Sequence, residues 1–176
     1  MQVIDDFLTE EEFVFLRSIF LGKEITWTYS ATKAKMPDTP QDKNEEFYNQ
    51  QYVHTLYSLH GGVAGTVSDK MRFIAPILQK IKPSVLLRAK VNSTFPTPEI
   101  YQYEFHVDQY LDVPFKTAIF YLNTNDGLTI FADGTEVESV ANRFVVFDGK
   151  ELHTGTSSTD SKRRMVLNLN YIGGEI

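Results

Sequence analysis

Apolar positions near the start of the chain recur at helical spacing, with Phe13, Leu16, Ile19 and Phe20 on one face. Thr9, with Glu12 three residues on, forms a capping box ahead of them. Phe7 or Leu8 supplies a hydrophobic staple, and Gly22 follows the last apolar position. A helix is predicted between these signals. Trp27-Thr28-Tyr29 reads as a short strand. Residues 30–50 are polar and carry Pro37, Pro40 and Glu45-Glu46. They predict a long loop of the kind that serves as a lid or recognition element. Residues 52–57 alternate and are rich in aromatic and β-branched types, which predicts a strand that Gly61-Gly62 breaks. A second helix is expected at about 68–81, with Met71, Ile74, Leu78 and Ile81 on one face. Pro76 kinks or restarts it, and Lys82-Pro83 ends it.

From residue 85 the period changes from helical to alternating. Residues 85–95, 100–107, 115–122, 128–131, 135–140, 143–147 and 164–172 read as strands. Asn125-Asp126-Gly127, Asp133-Gly134 and Asp148-Gly149 read as hairpin-type turns. Many short strands without an intervening helix predict a β-sandwich or jelly roll, a double-stranded β-helix, with the two N-terminal helices packed on one sheet. The expected class is mainly β with N-terminal helices (α+β). The whole chain, 1–176, is expected to form a single domain, with 1–84 as helical support and lid region and 85–172 as the jelly-roll core. No internal repeat is visible.

Composition narrows the chemistry. The 176 residues include no cysteine and 4 histidines, and the net charge is −6. Without cysteine there is no disulfide framework, thiolate nucleophile, zinc finger or thiolate-held cluster. Any metal must be held by His, Asp, Glu or backbone oxygen. The acidic balance disfavours a nucleic-acid partner. The first residues carry no basic stretch followed by an apolar run, and no window approaches the ~18 apolar residues a membrane span needs. The expectation is a cytoplasmic protein with no membrane partner. Nothing in the pattern sets an oligomeric state.

The candidate chemistry lies in the second half. His106 and Asp108 are two apart, and on a strand such residues share a face. His153 follows the Asp148-Gly149 turn, and a jelly roll can return it beside an earlier strand. Two histidines and one carboxylate would form a facial triad, a donor set suited to non-haem Fe(II) and oxygen. Arg163-Arg164 opens the final strand. If Arg164 points inward, so do Val166, Asn168 and Asn170, while Leu167 and Leu169 face the helices. An inward arginine needs an anion, and its fork suits a carboxylate.

His106-x-Asp108, then His153, then an arginine about ten residues on, resembles the 2-oxoglutarate- and Fe(II)-dependent dioxygenases, most closely the prolyl-4-hydroxylase-like branch. Ile119-Phe120-Tyr121-Leu122-Asn123 is similar to that family's aromatic strand ending in Leu-Asn, and Ile4-Asp5-Asp6-Phe7-Leu8 to its N-terminal entry. The resemblance covers roughly residues 85–172. It implies that His106, Asp108 and His153 bind iron, and that Arg164, with Arg163 as the other choice, binds the distal carboxylate of 2-oxoglutarate. Tyr121 falls where the family places a hydroxyl on that carboxylate. Tyr103 and Asn92 are further pocket candidates. The implied cofactors are Fe(II), 2-oxoglutarate and O2, with ascorbate as the candidate reductant. The implied reaction is hydroxylation of an aliphatic C–H bond, with release of succinate and CO2. Asp108 distinguishes this from halogenation, since the related halogenases lack the carboxylate. A prolyl or other amino-acyl side chain, in a peptide, protein or small molecule, is the expected substrate. The chain departs from the family's Gly-Gly-x-Leu turn in having Asp126-Gly127-Leu128. His54 and His60 match no ligand spacing, and a substrate role near the mouth stays open beside a structural one.

Two other readings stand beside this one. A zinc or manganese enzyme without redox chemistry, on a cupin-like barrel, would use the same donors. It would not need Arg164 and Tyr121. A non-catalytic jelly-roll binding module predicts that His106, Asp108 and His153 do not converge.

Overall fold

The computed structural model describes residues 1–31, 48–60 and 62–176. In chain order its strands are β1 (Gln2–Ile4), β2 (Thr28–Ser30), β3 (Gln51–His60), β4 (Val63–Val67), β5 (Val85–Thr94), β6 (Lys116–Tyr121), β7 (Asn125–Phe131), β8 (Glu136–Ser139), β9 (Phe144–Asp148), β10 (His153–Gly155) and β11 (Arg164–Ile172). Eight form one antiparallel sheet in the order β1-β9-β6-β11-β5-β3-β2, with β4 on β3. The other three form a smaller sheet, β10-β7-β8. The architecture is the jelly roll expected from the alternating half. Four strands from the first 84 residues join the larger sheet.

The central strands sort side chains by strict alternation. From β11, Met165, Leu167, Leu169 and Tyr171 enter the main core, which α1 (Glu10–Leu21) covers with Phe13, Leu16 and Phe20. From the opposite face of β11, Arg164, Val166 and Asn168 point between the sheets. There a second cluster of Ile119, Tyr121, Phe131, Val145 and Phe147 packs against Val166. The phase read for β11 is therefore the observed one.

Helix α1 begins where its capping box places it. Glu12 N–H donates to Thr9 Oγ1 at 3.3 Å, and Thr9 N–H donates to Glu12 Oε2 at 3.0 Å. Phe7 stacks on Phe144 with ring centroids 4.2 Å apart, pinning the helix entry to β9. The expected second helix divides into a 3₁₀ turn, Asp69–Ile74, and α2, Ala75–Ile81. Pro76 restarts it rather than kinking it, because its fixed φ suits a first helical turn.

Two strand-level expectations are corrected. Residues 100–107 do not form a ladder strand. They touch the smaller sheet through two isolated bridges, Gln102 to Thr156 and His106 to His153. Just before the first bridge, Tyr101 N–H is taken by a side chain, donating to Ser157 Oγ at 2.8 Å. Asn125-Asp126-Gly127 is not a hairpin turn but the start of β7, where the register shifts between Asn125 and Leu128. Gly127 serves close packing: a Cβ there would lie 2.6 Å from Arg164 Cδ and 2.7 Å from Ser157 O. Strands β1 and β10, three residues each, are too short to show alternation. Most of the lid expected at residues 30–50 lies outside the described residues. Among those described, no helix is long and apolar enough to cross a membrane.

Candidate active site

His106 and His153 face each other across one backbone bridge. His106 N–H donates to His153 O at 2.9 Å, and His153 N–H donates to His106 O at 3.1 Å. Each ring is oriented by its own chain. His106 Nδ1 donates to Glu104 O at 3.1 Å, and His153 Nδ1 donates to Glu151 O at 3.0 Å. A carbonyl can only accept, so both rings carry a proton on Nδ1, and Nε2 is the nitrogen left to bind a metal. Phe147 packs edge-on against His153 at 4.8 Å. Burial, followed by the neighbouring His153, holds His106 below its ordinary pKa despite the pull of Asp108, which favours the neutral ring a metal needs.

Asp108 completes the group. The candidate ligand atoms of His106, Asp108 and His153 lie within 4.8 Å of one another, and His153 Nε2 is 3.9 Å from Asp108 Oδ2. Adjacent ligands on a shared ion with ~2.1 Å bonds stand about 3 Å apart, so closure needs a side-chain shift of about 1 Å. The larger sheet holds the carboxylate. Arg88 Nη2 donates to Oδ1 at 2.8 Å, while Asn168 Nδ2 and Asn170 Nδ2 donate to Oδ2 at 2.7 and 3.2 Å. Burial pushes the carboxyl up, but Arg88, Lys90, His153 and the Asn168 bond outweigh it and hold Asp108 well below the usual carboxylate range.

Arg164 crosses from β11 to the smaller sheet. Its Nε donates to Ser139 Oγ at 2.9 Å, and its Nη2 donates to Leu128 O and Thr129 Oγ1 at 3.2 and 3.3 Å. All three acceptors are neutral. The guanidinium is buried, and among the described residues no carboxylate pairs with it. Its Nη1 side lies against Gly155, where a Cβ would stand 3.3 Å from that nitrogen. A buried cation without a counter-ion calls for an anion.

One cavity joins these groups. His106, Asp108, His153, Arg164, Asn92 and Tyr103 line it. Asn92 Oδ1, Thr94 Oγ1 and Asn168 Oδ1 are buried there without a hydrogen-bond partner among the described residues. Such orphaned atoms mark a built binding site. Burial pushes the Tyr103 phenol up to about 12, so it stays neutral.

The structure brings together the expected metal ligands, Arg164, Asn92 and Tyr103. Tyr121 stands behind them. Its hydroxyl donates to Thr129 Oγ1 at 2.7 Å and its ring lies 5.8 Å from the Arg164 guanidinium, so it braces that arginine through Thr129. Arg163 turns away and donates to Leu21 O at 2.9 Å. His54 is structural, its Nδ1 bonded to Thr26 O at 2.8 Å and its Nε2 to Ser68 Oγ at 3.0 Å. Sequence reasoning missed Arg88, Lys90 and Thr129. The signal was present in Arg88-x-Lys90-x-Asn92-x-Thr94, a polar alternation in a strand whose other face carries Ala89 and Val91.

No family model matches the sequence, and no curated protein matches it. The fold does have solved counterparts, since the same jelly roll is found in prolyl hydroxylases and in a 2OG-Fe(II) oxygenase family member. The chain is similar to a Pseudomonas putida prolyl-4-hydroxylase, with TM-score 0.54 and 16% identity over 98% of this chain and 91% of that one. It is similar to a Trichoplax adhaerens prolyl hydroxylase in complex with a hypoxia inducible factor peptide fragment, with TM-score 0.57 and 10% identity over 97% and 82%. It is also similar to HygX from Streptomyces hygroscopicus with nickel, 2-oxoglutarate and hygromycin B bound, with TM-score 0.54 and 13% identity over 97% and 82%.

Proposed function

We propose that this chain is an Fe(II)- and 2-oxoglutarate-dependent oxygenase that hydroxylates an aliphatic carbon. The observation that carries the reading is a pairing within one cavity. Three oriented metal donors converge at one place, and a buried guanidinium without a counter-ion stands at another. His106 and His153 would hold the metal through Nε2, and Asp108 through its carboxylate. A weakly charged donor set of this kind suits ferrous iron and leaves coordination positions open. Arg164 would take the distal carboxylate of 2-oxoglutarate, with Thr129 and Tyr121 keeping its fork in place. Tyr103 and Asn92 line the space beside it.

The bound metal supplies oxygen activation coupled to oxidation of 2-oxoglutarate. Overall, R–H, O2 and 2-oxoglutarate give R–OH, succinate and CO2. The chain's own residues orient the metal ligands, screen the cosubstrate from water and neutralise its charge. A prolyl or other amino-acyl side chain is the proposed substrate class. Its support is the likeness to two prolyl hydroxylases, one of them holding a peptide. A non-redox metal enzyme would have no use for the Arg164 arrangement.

The test is anaerobic loading with Fe(II) and 2-oxoglutarate, followed by admission of oxygen. Slow succinate formation is expected even without a substrate, and Asp108→Ala should abolish it. No succinate from the parent protein, or an undiminished yield from the variant, overturns the reading.

A further inference from the structure

Lys90 sits on the cavity-facing side of β5, between Thr55 of β3 and Asn168 of β11. Arg164 pairs with Thr94 on the same strand, four residues further on. At a rise of about 3.3 Å per residue, the backbone positions that carry the two cations stand about 13 Å apart along the strand, and both side chains line the cavity. Among the described residues, Lys90 Nζ has no hydrogen-bond or ion-pair partner. The one carboxylate lining the cavity, Asp108, already accepts from Arg88, Asn168 and Asn170.

Formal charge shows what this leaves over. A divalent metal, Arg88, Lys90 and Arg164 together exceed Asp108 by four positive charges. A 2-oxoglutarate dianion, spanning from the metal to Arg164, removes two. The remaining excess lies at the Lys90 end, beside the buried acceptor Asn92 Oδ1 on the same face of β5. A cation next to an unfilled acceptor suits a ligand that offers a carboxylate and an N–H, which is an amino-acid arrangement.

We propose that the substrate binds through a carboxylate on Lys90 Nζ, with an N–H of the same molecule directed to Asn92 Oδ1. This rests on the oxygenase reading and sharpens its substrate class to acidic or free amino acids. The carboxylate could be the α-carboxylate of a free amino acid or an acidic side chain in a peptide.

Binding of both partners can be read without turnover. The protein is loaded with redox-inert Zn(II), and 2-oxoglutarate binding is measured first by calorimetry. Two acid/amide pairs are then titrated onto the loaded protein at neutral pH: L-proline against L-prolinamide, and N-acetyl-glutamate α-amide against N-acetyl-glutamine α-amide. At least one acid should bind about tenfold or more tightly than its amide, a tenfold ratio being 1.4 kcal/mol. Preference in the first pair identifies an α-carboxylate, and in the second a side-chain carboxylate. Lys90→Met should erase the preference, Lys90→Arg should restore part of it, and both variants should still bind 2-oxoglutarate, which the metal and Arg164 hold. Equal binding of acid and amide, or no binding of any probe, overturns the proposal. So does a Lys90→Met variant that keeps the preference, or one that loses 2-oxoglutarate instead. If the Zn(II)-loaded parent fails to bind 2-oxoglutarate, the oxygenase reading itself falls.

Discussion

Replacing Arg164 by methionine separates a cosubstrate anchor from an ordinary buried arginine. The side chain makes three hydrogen bonds in this structure, all to neutral oxygens of Ser139, Leu128 and Thr129. Burial lowers its pKa, with only Tyr121 and Tyr103 acting the other way. What the guanidinium lacks is a carboxylate, and that is what 2-oxoglutarate would bring. Loss of a charge-assisted pair costs about 1.5–3 kcal/mol, so affinity should fall by about 10- to 150-fold. Thermal unfolding with Zn(II) present gives a second measure. At about 100 times the parent Kd, 2-oxoglutarate should stabilise the parent by about 2.7 kcal/mol. The same concentration should stabilise Arg164→Met by only about 0.3–1.4 kcal/mol. Arg163→Met is the control, because its side chain reaches only the end of α1 at Leu21 O. A loss of less than about threefold in Arg164→Met falls below what one charge-assisted bond supplies and would refute the assignment, as would a larger loss in Arg163→Met, which would move the role to the neighbouring arginine.

Further outcomes follow from local geometry. Gly127→Ala puts a methyl 2.6 Å from Arg164 Cδ and 2.7 Å from Ser157 O, so urea unfolding should show a loss of about 1–3 kcal/mol, with weaker 2-oxoglutarate binding. Asn142 joins β9 to the helix entry, its Nδ2 donating to Leu8 O and its Oδ1 accepting from Leu8 N–H, both at 2.9 Å, from a backbone with φ 66°. Asn142→Ala strands both Leu8 groups and strains the left-handed residue, so a loss of about 2–4 kcal/mol is expected in the same assay. Burial, then Arg88, pushes Lys90 down to about 8 from 10.5 in the folded protein, with Asp108 opposing. The unfolded chain therefore holds the extra proton between these values, and stability should rise with pH across that window. Metal-free Lys90→Met should be more stable than the parent below pH 8, by up to about 3 kcal/mol at 1.36 kcal/mol per pH unit, with the gap closing towards pH 10.5. An equal urea midpoint at pH 7 would show that Lys90 carries no such cost.

The periodic elements were legible because their signals are local. The capping box of α1, the alternation of β11 and the change of period at residue 85 each lie within a dozen residues. The alternation of β11 put Leu167 and Leu169 on the helix side if Arg164 pointed inward, and the structure has that phase. Elements that depend on a distant partner were not legible. Strands β1 and β10 exist because β9 and β7 offer them an edge. Residues 100–107 alternate like a strand, yet they meet their neighbours only through the bridges at Gln102 and His106. Gly127 looked like a turn residue, and its true constraint is an arginine 37 positions away. The same limit applies to the site. His106, Asp108 and His153 could be named from spacing and resemblance. Of the polar row on β5, only Asn92 was named as a pocket candidate, and Lys90 and Thr94 join it because Tyr103, His106 and Asp108 line the same cavity.

The two histidines and the aspartate belong to different layers of the molecule. His106 and His153 are fixed to the rim of the smaller sheet by their mutual backbone bridge. Asp108 is moored to the larger sheet by Arg88, Asn168 and Asn170. An ion bound among them would thus act as a rivet between the two layers at their open mouth. Arg164, reaching from β11 to Ser139 and Thr129, already fastens the same layers at the far end. Metal loading should therefore slow amide exchange on both rims together, including strands that contribute no ligand.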